Sequence, residues 1–180
     1  MTSYVAFLRG VNLGAKNKVP MKELRAVLDD MGYQNVRTYI QSGNILFEAD
    51  DFVEARVAQE MQAAIEAHFG VVSPVVLRSA AELAAVAAAN PFDVAAIEPA
   101  KLHVMLLNRE PAQEDVARLD PDRSPGDSYV VKNREIYVHF PNGAGRSRLG
   151  VDYFDRVLGV TATARNWNTI TKLLEMLADS

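Results

Sequence analysis

No cysteine occurs in the 180-residue chain, which removes disulfides, thiolate nucleophiles and thiolate metal sites from consideration. No apolar run approaches the ~18–20 residues that a membrane-spanning helix needs. The first residues enter a strand pattern without the charged and apolar regions of a signal peptide. Cations are outnumbered: 19 Lys and Arg face 23 Asp and Glu, a formal net charge of −4. That is the wrong sign for broad attachment to a nucleic-acid backbone. Of the three histidines, His103 and His139 fall in expected strands, and no carboxylate pattern beside them suggests a metal site. There is no Gly-x-Ser-x-Gly elbow for a hydrolase nucleophile. The chain reads as cytoplasmic, with no metal, no membrane segment and no nameable cofactor.

What is present is ordinary globular material, 49% hydrophobic and 23% charged. Tyr4 to Leu8 is apolar at every position, as in a strand covered on both faces. Met21, Leu24, Val27, Leu28 and Met31 recur on one helical face, with Pro20 at the entry and Gly32 just past the end. Val36 to Ile40 and Ile45 to Phe47 follow as strands, with Ser42-Gly43 read as a two-residue turn. A helix from about Phe52 to Phe69 ends at Gly70, and Val75 to Leu77 makes a fourth strand. The order is βαββαβ, the ferredoxin-like arrangement.

Ser79-Ala80-Ala81-Glu82 fits a capping box opening an alanine-rich helix that stops at Asn90-Pro91. The pattern then repeats: a strand at Leu102 to Leu107, a helix at Ala112 to Leu119, and a hairpin around Asn133-Arg134. A helix at Leu149 to Leu158, a strand at Val160 to Ala164 and a last helix carrying Trp167 complete it. The expected fold is therefore α+β: two ferredoxin-like halves packed together, with mainly antiparallel sheets and helices. The first half spans 1–90 with its trailing helix, a Pro-containing linker covers 91–101, and the second half covers 102–180 with a C-terminal helix.

The chain's most distinctive polar stretch is Arg9-Gly10-Val11-Asn12-Leu13-Gly14-Ala15-Lys16-Asn17-Lys18. A strand-to-helix connection of about ten residues exceeds the usual 2–6, and such loops tend to be functional. It is not a nucleotide-triphosphatase loop. Three residues separate Gly10 from Gly14, Lys16 comes two later, and no Ser or Thr follows, whereas that motif needs four and then Lys-Ser/Thr. A looser oxyanion site remains sensible, because loop amides, a helix's positive end and Lys16 or Lys18 can converge. At the last helix's entry, Arg165 and Asn168 are a second pair of candidate ligand contacts, while Thr163 or Asn166 would cap. Trp167 belongs to the apolar stripe and reads as core. Gly145-Arg146-Ser147-Arg148 is a further basic loop. Asp29-Asp30 and Asp50-Asp51 read as solvated or capping carboxylates.

Arg9 to Gly14, Asn17-Lys18-Val19, Thr38 to Asn44, Asn90-Pro91-Phe92 and Arg165 to Thr169 resemble the strings of bacterial domain of unknown function 1697, in order and over nearly the whole chain. The resemblance implies a cytosolic α+β protein of two ferredoxin-like parts. It carries no established activity and hence no catalytic residues.

The ferredoxin-like order also raises an RNA-recognition reading. The third strand, Ile45-Leu46-Phe47-Glu48, lacks the required basic glycine-aromatic motif. Phe7 and Phe47 would be buried in a doubly covered sheet. Taking the first and third strands as parallel sends the Arg9 loop and the Gln41-Ser42-Gly43-Asn44 turn to opposite edges, roughly 17 Å apart for five residues at about 3.3 Å each. Gln41, Ser42 and Asn44 then form a second, separate polar turn. The expected function is binding, with or without catalysis, of a small anionic or phosphorylated ligand by Arg9, Asn12, Lys16, Lys18, Arg165 and Asn168. The alternative is a protein or nucleic-acid interaction module without catalytic activity. Neither the ligand nor the oligomeric state can be read from these residues.

Overall fold

A computed structural model describes residues 1–179. They divide into two compact units, Met1–Leu83 joined by the chain from Leu173 onward, and Ala84–Lys172. Residues 91–101, the expected linker, lie within the second unit.

In the first unit, β1 (Thr2–Leu8), α1 (Met21–Asp30), β2 (Gln34–Tyr39), β3 (Asn44–Ala49), α2 (Glu54–Phe69) and β4 (Val75–Ser79) follow in sequence. The sheet order is β2-β3-β1-β4, and each neighbouring pair is antiparallel. One face carries Tyr4, Ala6, Leu8, Ile45, Phe47, Val75 and Leu77. It is covered by Met21, Leu24 and Leu28 of α1 and by Val57, Met61 and Ile65 of α2. Full burial of each such large side chain contributes about 1.5–3 kcal/mol. On the other face Val5, Phe7, Leu46 and Val76 are buried too, which is why β1 reads as a continuous apolar run.

The second unit repeats the plan. Its strands are β5 (Leu102–Leu107), β6 (Ser128–Lys132), β7 (Glu135–His139) and β8 (Ala162–Asn166), ordered β6-β7-β5-β8 and antiparallel throughout. Met105, Leu107, Ile136, Val138 and Ala162 form one core with Tyr153, Phe154 and Leu158, the last three from α5 (Val151–Leu158). The helix expected at 112–119 is a single turn, α4 (Gln113–Val116). Turn-forming Asp120-Pro121 then ends any continuation. The other two helices are α3 (Ala80–Ala88) and α6 (Trp167–Ala178).

The expected capping box is real: Ser79 N–H donates to Glu82 Oε2 at 2.7 Å, and Glu82 N–H to Ser79 Oγ at 3.1 Å. The same device, in simpler form, opens α6, where Thr169 N–H donates to Asn166 Oδ1 at 3.0 Å. Trp167, Phe7 and Phe47 are buried as their stripes required.

His103 pairs with Val138 and His139 with Leu102. Adjacent strand positions face opposite ways, so the two histidines cannot share an ion. Among the described residues no cluster of His, Cys, Asp and Glu could hold one, and no helix is long and apolar enough to cross a membrane. The buried His103 Nδ1 has no hydrogen-bond partner, its ring stands edge-on to Phe140 at 5.0 Å, and burial pushes its pKa down.

Two outcomes are expected. Gly43 has φ +83°, and an added Cβ would lie 2.6 Å from Leu8 Cβ. Gly43→Ala therefore costs about 2–4 kcal/mol in chemical denaturation. Gly14→Ala, at φ +62° with open space around it, costs only about 1–2. For His103 the folded pKa lies below the unfolded value, so acid favours the unfolded chain. Its contribution is intact above about pH 6.5 and is lost as pH falls. The midpoint of thermal unfolding should decline more steeply between about pH 7 and 5 in the native sequence than in His103→Gln.

Candidate functional site

The antiparallel pairing of β1 with β3 overturns the expected separation of the two polar stretches. In the ferredoxin-like order it is β1 and β2 that run parallel. The end of β1 lies beside the start of β3, with Phe7 opposite Asn44. Leu8 N–H donates to Gly43 O at 2.8 Å, an approach that only a glycine allows. The Arg9 loop and the Gln41 turn therefore share one end of the first sheet.

The turn itself is a four-residue connection, Ile40 to Gly43, between the paired Tyr39 and Asn44. A two-residue Ser-Gly turn is not formed. Ile40 sits at φ +49°, a costly conformation for a β-branched residue. Asn44 is wholly buried and its Nδ2 closes the connection, donating to Tyr39 O and Ser42 Oγ, each at 3.0 Å.

The loop is a small hairpin on a braced base. Leu13 and Lys16 form an isolated bridge, and Asn12 N–H donates to Asn17 O at 2.9 Å. Gly10, Asn12, Gly14 and Asn17 are all left-handed, a conformation that glycine and asparagine tolerate best. Asn12 is the brace. Its Nδ2 donates to Val19 O at 2.9 Å and to Gln41 O at 2.7 Å, and its Oδ1 accepts from Val19 N–H at 2.8 Å. Asn17 Nδ2 donates to Gly10 O at 3.0 Å, and Val11 and Val19 are buried beneath. A third segment joins them, for Arg9 N–H donates to Ser73 Oγ at 3.1 Å and Ser73 Oγ donates to Arg9 O at 2.8 Å.

Asn12 thus acts within the fold, its amide filled by backbone partners. Lys16 and Lys18 extend from the hairpin into solvent, Gln41 is exposed beside them, and Arg9 is half-buried. No carboxylate occurs in residues 9–20, 40–44 or 70–74, so the three loops present cations alone.

Arg165 and Asn168 belong to the second unit. Arg165 is buried, and its Nη1 donates to Thr163 Oγ1 at 2.9 Å and to Ala164 O at 2.8 Å. Burial lowers its pKa to about 10, so it stays charged at neutral pH. Asn168 is exposed in the first turn of α6. Arg78 was missed by the sequence reading. It is buried at the matching place in β4, opposite Val5 as Arg165 is opposite Val104. Its signal was in the chain: each arginine immediately precedes the residue whose side chain caps the next helix. Ser73 was missed as well, for nothing in its neighbourhood marks a serine that bonds across 64 positions.

A family described as a protein of unknown function, DUF1697, matches residues 1–137. The chain belongs to the DUF1697 family. Among solved structures, a conserved bacterial protein, SP0830 from Streptococcus pneumoniae, is similar over 98% of both chains, with a TM-score of 0.73 and 26% identity. No curated protein matches. The family match covers all three loops of the candidate site.

Removing the brace should differ sharply from removing the cations. Asn12→Ala is expected to cost about 1–3 kcal/mol in chemical denaturation, because the backbone N–H and C=O of buried Val19 are left unsatisfied. Lys16→Ala and Lys18→Ala should each stay within about 0.5 kcal/mol of the native sequence.

Proposed function

We propose that the loop end of the first unit binds a small anionic ligand, such as a phosphorylated metabolite, through Lys16 and Lys18 with Arg9 and Gln41. The observation that carries this reading is the assembly of the cationic loop and the Gln41 turn on one end whose three loops hold no carboxylate. An anion there meets two exposed ammonium groups and an amide that both donates and accepts. The hairpin's backbone is ordered before binding, which reduces the entropy lost when a ligand is held. The role is recognition; no reaction is assigned.

A second reading, an interaction surface, is favoured by one specific observation: Leu13 stands at the tip of the hairpin with 66% of its surface exposed. Apolar tips of this kind suit contact with another macromolecule better than enclosure of a metabolite, whose sites are usually concave.

Thermal unfolding across a panel of inorganic phosphate, pyrophosphate, nucleoside phosphates and sugar phosphates tests the first reading. A ligand at about a hundredfold excess over its Kd adds about 2.7 kcal/mol of stability. The gain should shrink with added salt and weaken about tenfold or more in the Lys16→Ala/Lys18→Ala double variant. An unchanged midpoint with every anion, or a gain indifferent to both lysines, would sink the proposal.

A further inference from the structure

The first unit is electrically polarised along its strands. At the loop end stand Arg9, Lys16 and Lys18. At the opposite end, where Thr2 pairs with Ala49, a cavity of about 310 Å³ is lined by Met31, Tyr33, Glu48, Asp50 and Glu60, among others. Four carboxylates line it, Glu48, Asp50, Asp51 and Glu60. Against them stand Arg56, which donates to Asp51 O at 2.9 Å and lies 3.9 Å from Glu60, and the terminal amine, 3.2 Å from Asp50. Burial raises the pKa of the Tyr33 phenol, with Glu60 adding to the rise and Arg56 opposing it.

The two ends are also where apolar surface is left uncovered. Of the eight exposed large hydrophobic side chains among the described residues, Leu13, Ile40 and Val72 belong to the loop end, and Met1, Met31 and Val53 to the acidic end. At the loop end each of the three flanks a residue that ties the loops together. Leu13 and Ile40 adjoin the Asn12–Gln41 hydrogen bond, and Val72 adjoins Ser73, which holds Arg9. One end is convex, cationic and apolar at its tip; the other is concave, acidic and rimmed by apolar side chains.

We infer that this protein associates head to tail with a second copy of itself, the Leu13–Lys18 hairpin of one chain seating in the acidic cavity of the next. Charge complementarity between two patches of the same chain selects that occupant. Because the patches differ, the contact is heterologous and continues as a ring or an open chain of copies rather than closing on a pair. The inference rests on the loop end taking anions, since the neighbour's carboxylates are then the anion bound. Inorganic phosphate therefore competes with the second copy.

Light scattering or sedimentation on the full chain tests this from micromolar to millimolar concentration. At about 0.02 M salt the average mass should climb with concentration, and at about 0.5 M, where screening is nearly complete within a few ångströms, it should return to that of one chain. Lys16→Glu/Lys18→Glu and Asp50→Lys/Glu60→Lys should each weaken association about tenfold or more. An equimolar mixture of the two variants should associate again and grow beyond a pair, because the intact ends match and the reversed ends, an acidic hairpin and a basic cavity, are complementary to each other. Circular dichroism confirms that both are folded. A native chain that stays single at every concentration and salt overturns the inference, as does association indifferent to the reversals. Phosphate stabilisation that persists in Asp50→Lys/Glu60→Lys, in a native chain that never associates, would leave the anion reading standing while removing this one.

Discussion

The antiparallel pairing of β1 with β3 decides where everything else in the first unit goes. With Phe7 opposite Asn44 and Thr2 opposite Ala49, the loop that leaves β1 must emerge beside the connection that enters β3. The Leu8-to-Gly43 hydrogen bond locks that junction, and Gly43 is the residue whose missing side chain makes it possible. Cations, amides and exposed apolar groups collect at one end as a consequence of strand direction. The carboxylates of Glu48 and Asp50 are carried to the other end by the same register.

The second unit uses an identical junction with different chemistry around it. Leu107 N–H donates to Arg134 O as Leu8 does to Gly43 O, and Asn108 N–H donates to Thr161 O as Arg9 does to Pro74 O. There, however, β5 passes into a short connection and the one-turn α4, with no projecting hairpin. Asn108 Oδ1 also accepts from Thr161 N–H at 2.9 Å, so its side chain is used within the junction. Buried arginines at matching points of β4 and β8, each followed by a capped helix, make the kinship of the two units chemical as well as topological.

Much of this was readable from residue order. Strict stripes such as Met21–Leu24–Leu28 and continuous runs such as Val5–Phe7 reflect burial that any helix or central strand must satisfy, so element types and sheet class followed. Ser79 and Glu82 disclosed their cap because its partners are three residues apart. What did not follow were features made by distant partners. The meeting of Asn12 with Gln41 depends on strand direction, and taking β1 and β3 as parallel separated them; Arg9 meets Ser73 because β4 starts beside the end of β1. The turn at Ile40 was missed because nothing in an isoleucine advertises a left-handed backbone; the surrounding fold imposes it. Asn12 had the composition of a ligand group, and only its three backbone partners reveal a brace.

That brace separates the hairpin into two parts with unequal freedom. Below Asn12 and Asn17, the chain is tied to the sheet and to the core through Val11 and Val19. Above them, Gly14 and its neighbours meet open space, and changes there disturb no packing. Apart from Gly14, whose left-handed backbone a side chain would strain, substitutions at the exposed tip carry little folding cost, while the base holds the tip in one place. A protein built this way can acquire a new binding preference by drift in a handful of residues, with its stability insulated from the experiment.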